Sequence, residues 1–293
     1  MKVRIGVGLG QDSDPADFAA VVDRLEAAGI DSLWLSELVY TRQVEPFVGM
    51  AAALGRTTKL KVGTGVAVLP GRHPVLVAKQ LTSLAALAPR RVLPVFGLRP
   101  AQRAEWPLFP VPPGRRAAVF DESLRLLRLL LTQDEVTFHG EFHTVTGAVI
   151  GPRPAKPLDI WLGGAAPAAL NRIGRLADGW LGSFLSPDQS RRARIAIQAA
   201  AADAGREVEA DHFGLSLGVA LTGVTDAQLA AARRRRPDAD PAELVADGWR
   251  HARTLLERHI EGGLSKFVIR PLGGVPYEEF LSGFVAELLP LQN

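Results

Sequence analysis

The segment His73-Pro-Val-Leu-Val-Ala-Lys-Gln-Leu-Thr-Ser-Leu-Ala-Ala-Leu-Ala-Pro-Arg-Arg-Val-Leu-Pro-Val-Phe-Gly97 contains one complete helix–strand unit. Pro74 suits a first helical turn, where its missing N–H would have no partner in any case. Val77, Leu81, Leu84 and Ala88 are spaced four, three and four residues apart, so one apolar stripe faces a sheet. Pro89 ends the helix. Val92 to Gly97 is nearly all apolar, as expected of a parallel strand covered on its outer side.

The same unit repeats in both directions. Lys2 to Gly8, Asp31 to Ser36 and Lys59 to Val68 read as the three preceding strands, with helices over Phe18–Ala28 and Pro46–Leu54. Asp12 to Asp17 supplies turn and cap residues between the first strand and its helix. Downstream, Ile160–Gly163, Trp180–Ser183, Leu215–Leu221 and Lys266–Arg270 read as strands five to eight. Helices are expected over 118–131, near 167–177, over 188–204, over 226–259 with breaks at Pro237 and Pro241, and over 277–289. Eight strand–helix units in order predict an α/β fold of the closed (β/α)8 TIM-barrel type, with any active site at the C-terminal strand ends.

Two insertions interrupt the rhythm. Residues 98–115 hold five prolines and no period, which predicts a loop or lid after strand 4. Residues 134–146 alternate as a peripheral hairpin. No Ser/Gly/Pro-rich linker divides the chain, so residues 1–293 are expected to form a single domain.

Composition narrows the function classes. Of 293 residues, 47% are hydrophobic and 22% charged, enough to bury a full core. Zero cysteines exclude disulfides, thiolate catalysis and cysteine-ligated metals. The start, MKVRIGVGLGQDSD, lacks a signal-peptide core, and no uncharged apolar run approaches the roughly 20 residues that span a bilayer. A cytoplasmic protein without a membrane partner is expected. Net charge is only +3, and the sharpest basic run, Arg233 to Arg236, reads as a solvated helix end before Pro237. Without interleaved aromatics it gives no reason to expect nucleic acid.

The residues at the expected strand ends carry the chemistry. Glycines recur there at Gly65, at Gly163-Gly164 and at Gly273-Gly274, where backbone can approach a flat ring or a phosphate. Arg270 leaves an apolar strand with no acid beside it, so it needs an anionic ligand or a buried carboxylate. Glu37 is a candidate proton donor or hydrogen-bond acceptor, or else a group that orients the rim backbone. His73 either faces a ligand or caps the helix that it precedes. His139, Glu141 and His143 share one face of the hairpin, yet no metal is expected. Trp34 and Trp180 are expected to pack inside.

Several of these stretches resemble the luciferase-like monooxygenase superfamily, especially its actinobacterial deazaflavin-dependent branch. They are Ala28–Trp34; Val62–Val66 with Arg72–Pro74; Ala117–Thr132 with Phe138–Phe142; Leu162–Gly164 with Ala177–Trp180; and Gly263–Pro271. The resemblance implies an oxidoreductase passing a hydride between coenzyme F420 and a small organic substrate. It implies a non-prolyl cis peptide at Gly65–Val66, in a strand-3 bulge that backs the ring, with Gly163, Gly164 and Ser183 near the cofactor tail. Arg270 is expected towards that anionic tail. The alternatives are a monooxygenase using FMN supplied by a separate flavin reductase, and a cofactor-binding protein without turnover. Family members are often dimers, so a homodimer is expected.

The resemblance also departs at two places. Many deazaflavin members end strand 2 with Asp-His, where this chain has Glu37-Leu38, and a leucine cannot move a proton. Pro94 and Phe96 stand in a strand-4 stretch that is usually richer in glycine.

Overall fold

The computed structural model describes residues 2–10 and 13–293. Asp12 lies outside the described residues, while Asp14 caps the short turn Pro15–Asp17 as its neighbourhood predicts. The barrel strands are β1 (Arg4–Gly8), β2 (Ser32–Leu35), β3 (Lys61–Thr64, continued by Ala67–Val68), β4 (Val92–Leu93, continued by Val95–Gly97) and β5 (Trp161–Gly163). They are completed by β6 (Gly179–Ser183), β7 (Phe213–Ala220) and β8 (Lys266–Leu272). Each pairs in parallel with the next, and β8 returns to β1 with Phe267 opposite Ile5. The ring is therefore closed, and the (β/α)8 expectation holds.

Alternation along the strands separates two cores. Ile5, Val7, Leu33, Leu35, Phe267 and Ile269 point outward and pack under the helices. Trp34, Val95, Leu181 and Val268 point inward and fill the middle of the lumen. Trp34 fits because its inward neighbours are glycines. A Cβ added to Gly6 would lie 2.7 Å from Trp34 Nε1, and one on Gly63 would lie 2.9 Å from Cζ3. The indole N–H donates to Ser32 Oγ at 2.9 Å, which satisfies the ring's only polar group.

One register change in the barrel bears directly on function. Gly63 stands opposite Leu93, but Ala67 stands opposite Phe96. Three residues of β3 thus span a gap that two residues of β4 span, which is a β-bulge. The Gly65–Val66 peptide inside it is cis, as the family resemblance implies.

The insertions fall where expected, with adjustments. The 98–115 segment contains a short helix, Arg103–Leu108, whose Glu105 is fully buried and accepts a hydrogen bond from Tyr40 N at 2.9 Å. That bond ties the segment to the loop after β2. The hairpin strands are Val136–His139 and Thr144–Ala148, so the second runs past residue 146. The largest difference lies in 226–259. Helices span Asp226–Arg235 and Gly248–Glu261, and Val245–Asp247 between them is a strand on the far end of β7. Its cause is geometric. β6 pairs with β7 only as far as Ser183 opposite Ser216, and Val245–Asp247 takes up the vacated edge from Gly218 to Ala220.

A cluster of charges occupies the N-terminal end of the barrel. The Asp31 side chain is only 6% exposed and accepts hydrogen bonds from Lys61 at 2.7 Å and Lys266 at 2.6 Å. Burial pushes its carboxyl pKa up, but the two ammonium groups outweigh this and hold it at about 2. A carboxyl lowered from 3.8 stabilises the fold above that pH, and the contribution fades as pH falls towards 2. Asp31→Asn should therefore cost about 3 kcal/mol at neutral pH, because it strands the buried Lys266 ammonium. Urea titrations should show the gap between wild type and variant shrinking below pH ~4.

Candidate active site at the barrel mouth

At the C-terminal strand ends a cavity of about 310 Å3 opens to solvent. Gly65 and Val66 of the bulge, Arg270 from β8, Ser216 from β7 and Ser183 from β6 contribute to its wall. Leu38 and Glu37 close one side, while Arg99 and Pro100 from the lid segment close another. The lumen below is filled by the Trp34 cluster, so a ligand that enters meets the bulge as its floor.

Arg270 organises this mouth. Its Nε donates to Ser216 Oγ at 3.0 Å and its Nη2 to the Gly65 carbonyl at 3.0 Å. Space for the guanidinium exists because two inward positions lack a Cβ. One built on Gly8 would lie 2.5 Å from Nη1, and one on Gly65 would lie 2.6 Å from Nη2. Burial alone pulls its pKa down to about 10, so it stays charged at neutral pH. Among the described residues no carboxylate pairs with it, so the arginine brings an uncompensated positive charge to the cavity.

Glu37 is also in the wall, but both of its oxygens are engaged. It accepts from Val68 N at 2.6 Å and is ion-paired with Arg72. Arg72 in turn donates to the Val68 carbonyl at 3.1 Å and lies over the rings of Phe47 and Phe109. Glu37 N donates to the Val66 carbonyl at 3.2 Å, and Ser36 Oγ to the Gly65 carbonyl at 3.1 Å. The end of β2 therefore grips both ends of the bulge. Burial pushes the Glu37 carboxyl above its usual pKa, against the opposing pull of Arg72 and the Val68 N–H. This geometry makes Glu37 a positioning residue for the bulge.

The family pattern of luciferase-like monooxygenases matches residues 1–265. The chain belongs to that family. Family members that resemble it include an uncharacterized protein of Mycobacterium tuberculosis, 38% identical over 62% of each chain. The chain thus spans about 62% of that relative's length. The F420-dependent glucose-6-phosphate dehydrogenase of Amycolatopsis mediterranei is 25% identical, with 94% of each chain covered. In fold, the chain is similar to an F420-dependent secondary alcohol dehydrogenase solved with an F420–acetone adduct. The TM-score is 0.85, with 18% identity and all of both chains covered.

Within this family fold, the expected site residues separate into two groups. Glu37, Gly65, Val66, Ser183 and Arg270 converge on one cavity. Gly163, Gly164 and His73 do not line it. Gly163 lies behind the bulge, where an added Cβ would come 3.0 Å from Val66 Cγ1, so it makes room for Val66. Gly164 has φ +123° and its carbonyl accepts from Trp180 Nε1 at 2.7 Å. His73 is exposed and caps the helix Pro74–Leu87 by accepting from Val75 N at 3.3 Å, the second of its two expected roles. Its ring meets that of His143, which is 2.9 Å from Ser123 Oγ, while Glu141 pairs with Arg115.

The sequence reading missed Arg235. The basic run Arg233–Arg236 is not wholly solvated. Arg235 lies 4.6 Å over the Phe184 ring and lines the mouth, and Arg236 donates to the Phe184 carbonyl at 3.0 Å. Phe184 itself has φ +51°, and it directly follows Ser183. Only the break at Pro237 hinted that the helix ends against something.

Glu37→Ala should cost about 2–3 kcal/mol, because it leaves the buried Val68 N–H and Arg72 without their acceptor. Glu37→Gln keeps an acceptor for Val68 and should cost less than half of that. Chemical denaturation of both variants measures the difference.

Proposed function

We propose that the chain is a cytoplasmic oxidoreductase that binds coenzyme F420 at the barrel mouth and acts on a small organic substrate. The observation that carries this reading is Arg270, a half-buried guanidinium beside a glycine bulge that has no carboxylate partner among the described residues. Such a group is stable only where an anion or electron-rich oxygen completes its hydrogen bonds. The F420 dependence named for the Amycolatopsis relative, matched over 94% of both chains, supports the same cofactor.

When bound, coenzyme F420 would supply two-electron hydride chemistry. The Gly65–Val66 backbone offers a flat floor that side chains leave open. Arg270 donates to the Gly65 carbonyl beside that floor and would offer its remaining donors to the cofactor. Arg235 and Ser183 line the same cavity and would be partners for an anionic tail. Leu38 presents hydrocarbon to the cavity where many deazaflavin members of the family have a histidine, so that position offers no group to transfer a proton. Pro100 and Ala101 of the lid segment complete the substrate side.

Titration with F420 and with FMN, followed by fluorescence, tests the reading. We expect saturable F420 binding that weakens at least tenfold in Arg270→Gln, equivalent to about 1.4 kcal/mol. Tight FMN binding with no response to F420 would reverse the cofactor assignment in favour of the oxygenating alternative. Single-turnover hydride exchange separates an enzyme from a mere carrier of the cofactor.

The proposal includes a homodimer. Adjacent helices Pro46–Arg56 and Pro74–Leu87 leave Val48, Leu76 and Leu87 63%, 66% and 77% exposed. Ala51, Ala52 and Gly55 extend the uncharged face of the first helix. Sedimentation should give twice the chain mass, falling to the monomer in Val48→Glu/Leu76→Glu.

A further inference from the structure

The opposite end of the barrel contains a second cavity, of about 210 Å3, that the redox reading does not use. At roughly 30 Å3 per water it holds about seven waters' worth of space, enough for a small organic molecule. We propose that it is a binding site for a small carboxylate with an aromatic or apolar body.

Charge supplies the first argument. Lys2, Arg4, Lys61, Arg90 and Lys266 line the cavity or its entrance, facing Asp159 and Asp211 across it. Asp31, just beneath, serves Lys61, Lys266 and, at 3.5 Å, Arg4. One carboxylate is thus shared among three cations. Among the described residues Lys2 and Arg90 form no ion pair at all. A cluster that merely closed the barrel would not need them.

Topology supplies the second argument. The cations come from the starts of β8, β1, β3 and β4, which are contiguous around the ring through β2. The acids come from the segments that lead into β5 and β7. The cavity is therefore polarised, with one positive arc able to take a carboxylate. Apart from Ser265 and His212, its remaining wall is apolar, formed by Trp34, Trp161, Val92, Leu93 and Val95. The Trp161 ring is held in place by His212, 5.4 Å away between centroids, and by Gly179, where a Cβ would lie 2.5 Å from Trp161 Nε1. A bare inorganic anion would waste that wall, whereas a benzoate-like molecule would use both halves.

Calorimetric titration of the full chain with benzoate, acetate and inorganic phosphate tests the assignment. We expect saturable binding of one benzoate per chain, with acetate and phosphate at least tenfold weaker. Lys2→Glu/Arg90→Glu, two exposed positions whose reversal spares the fold, should weaken benzoate at least fivefold. Arg270→Gln, at the other end of the barrel, should leave it unchanged. Absence of saturation, or binding lost in Arg270→Gln and kept in the charge-reversed pair, would overturn the site. Phosphate binding as strongly as benzoate would overturn the ligand class.

Discussion

The placement of one guanidinium governs the mouth of this barrel. Arg270 is held by a serine of β7 and by the carbonyl of the β3 bulge, so three strands meet at one charged group. A cation in that position costs free energy unless its remaining donors find an acceptor, and among the described residues no carboxylate serves the purpose. The cost is tolerable because the charge faces a cavity and not a sealed core. Stability and ligand binding are thereby linked at the same residue.

The lumen accommodates this group by subtraction. Small inward residues on β1, β3 and β7 leave volume that Trp34 fills at mid-height and Arg270 fills above it. Below both, Asp31 and its cations gather at the strand starts. The result is three stacked layers of different character: ionic, aromatic and cationic-polar. Each layer depends on the one beneath it for side-chain position, as expected for barrel interiors packed in tiers.

Much of this was legible in the sequence because periodicity reports outward packing. The stripes over Phe18–Ala28 and Val77–Ala88 mark helices that lie on the sheet, and the structure has them there. Strand-end residues such as Gly65, Glu37 and Arg270 were found because chain order in this fold fixes which loop opens on which face. Val245–Asp247 escaped because three residues carry no period, and their pairing depends on where β6 stops. Arg235 escaped for a related reason. Its significance comes from Phe184, which is distant in the chain and close only in space. His73 and the Gly163-Gly164 pair carry no such signal of where they face, and their observed contacts are to the scaffold outside the cavity wall.

The bulge in β3 also inverts the parity of its strand. Before it, odd-numbered residues face the lumen, as Lys61, Gly63 and Gly65 do. After it, even-numbered Val66 and Val68 face inward, and Ala67 and Leu69 join the outer core. Two consecutive residues are therefore presented to the ligand side by side, which a regular strand never does. Deleting one of the two would remove the bulge and leave a regular strand, with Val68 still inward and Leu69 still outward, but with one residue in place of two facing the ligand. At this point in the chain, residue count constrains the site as strongly as residue identity.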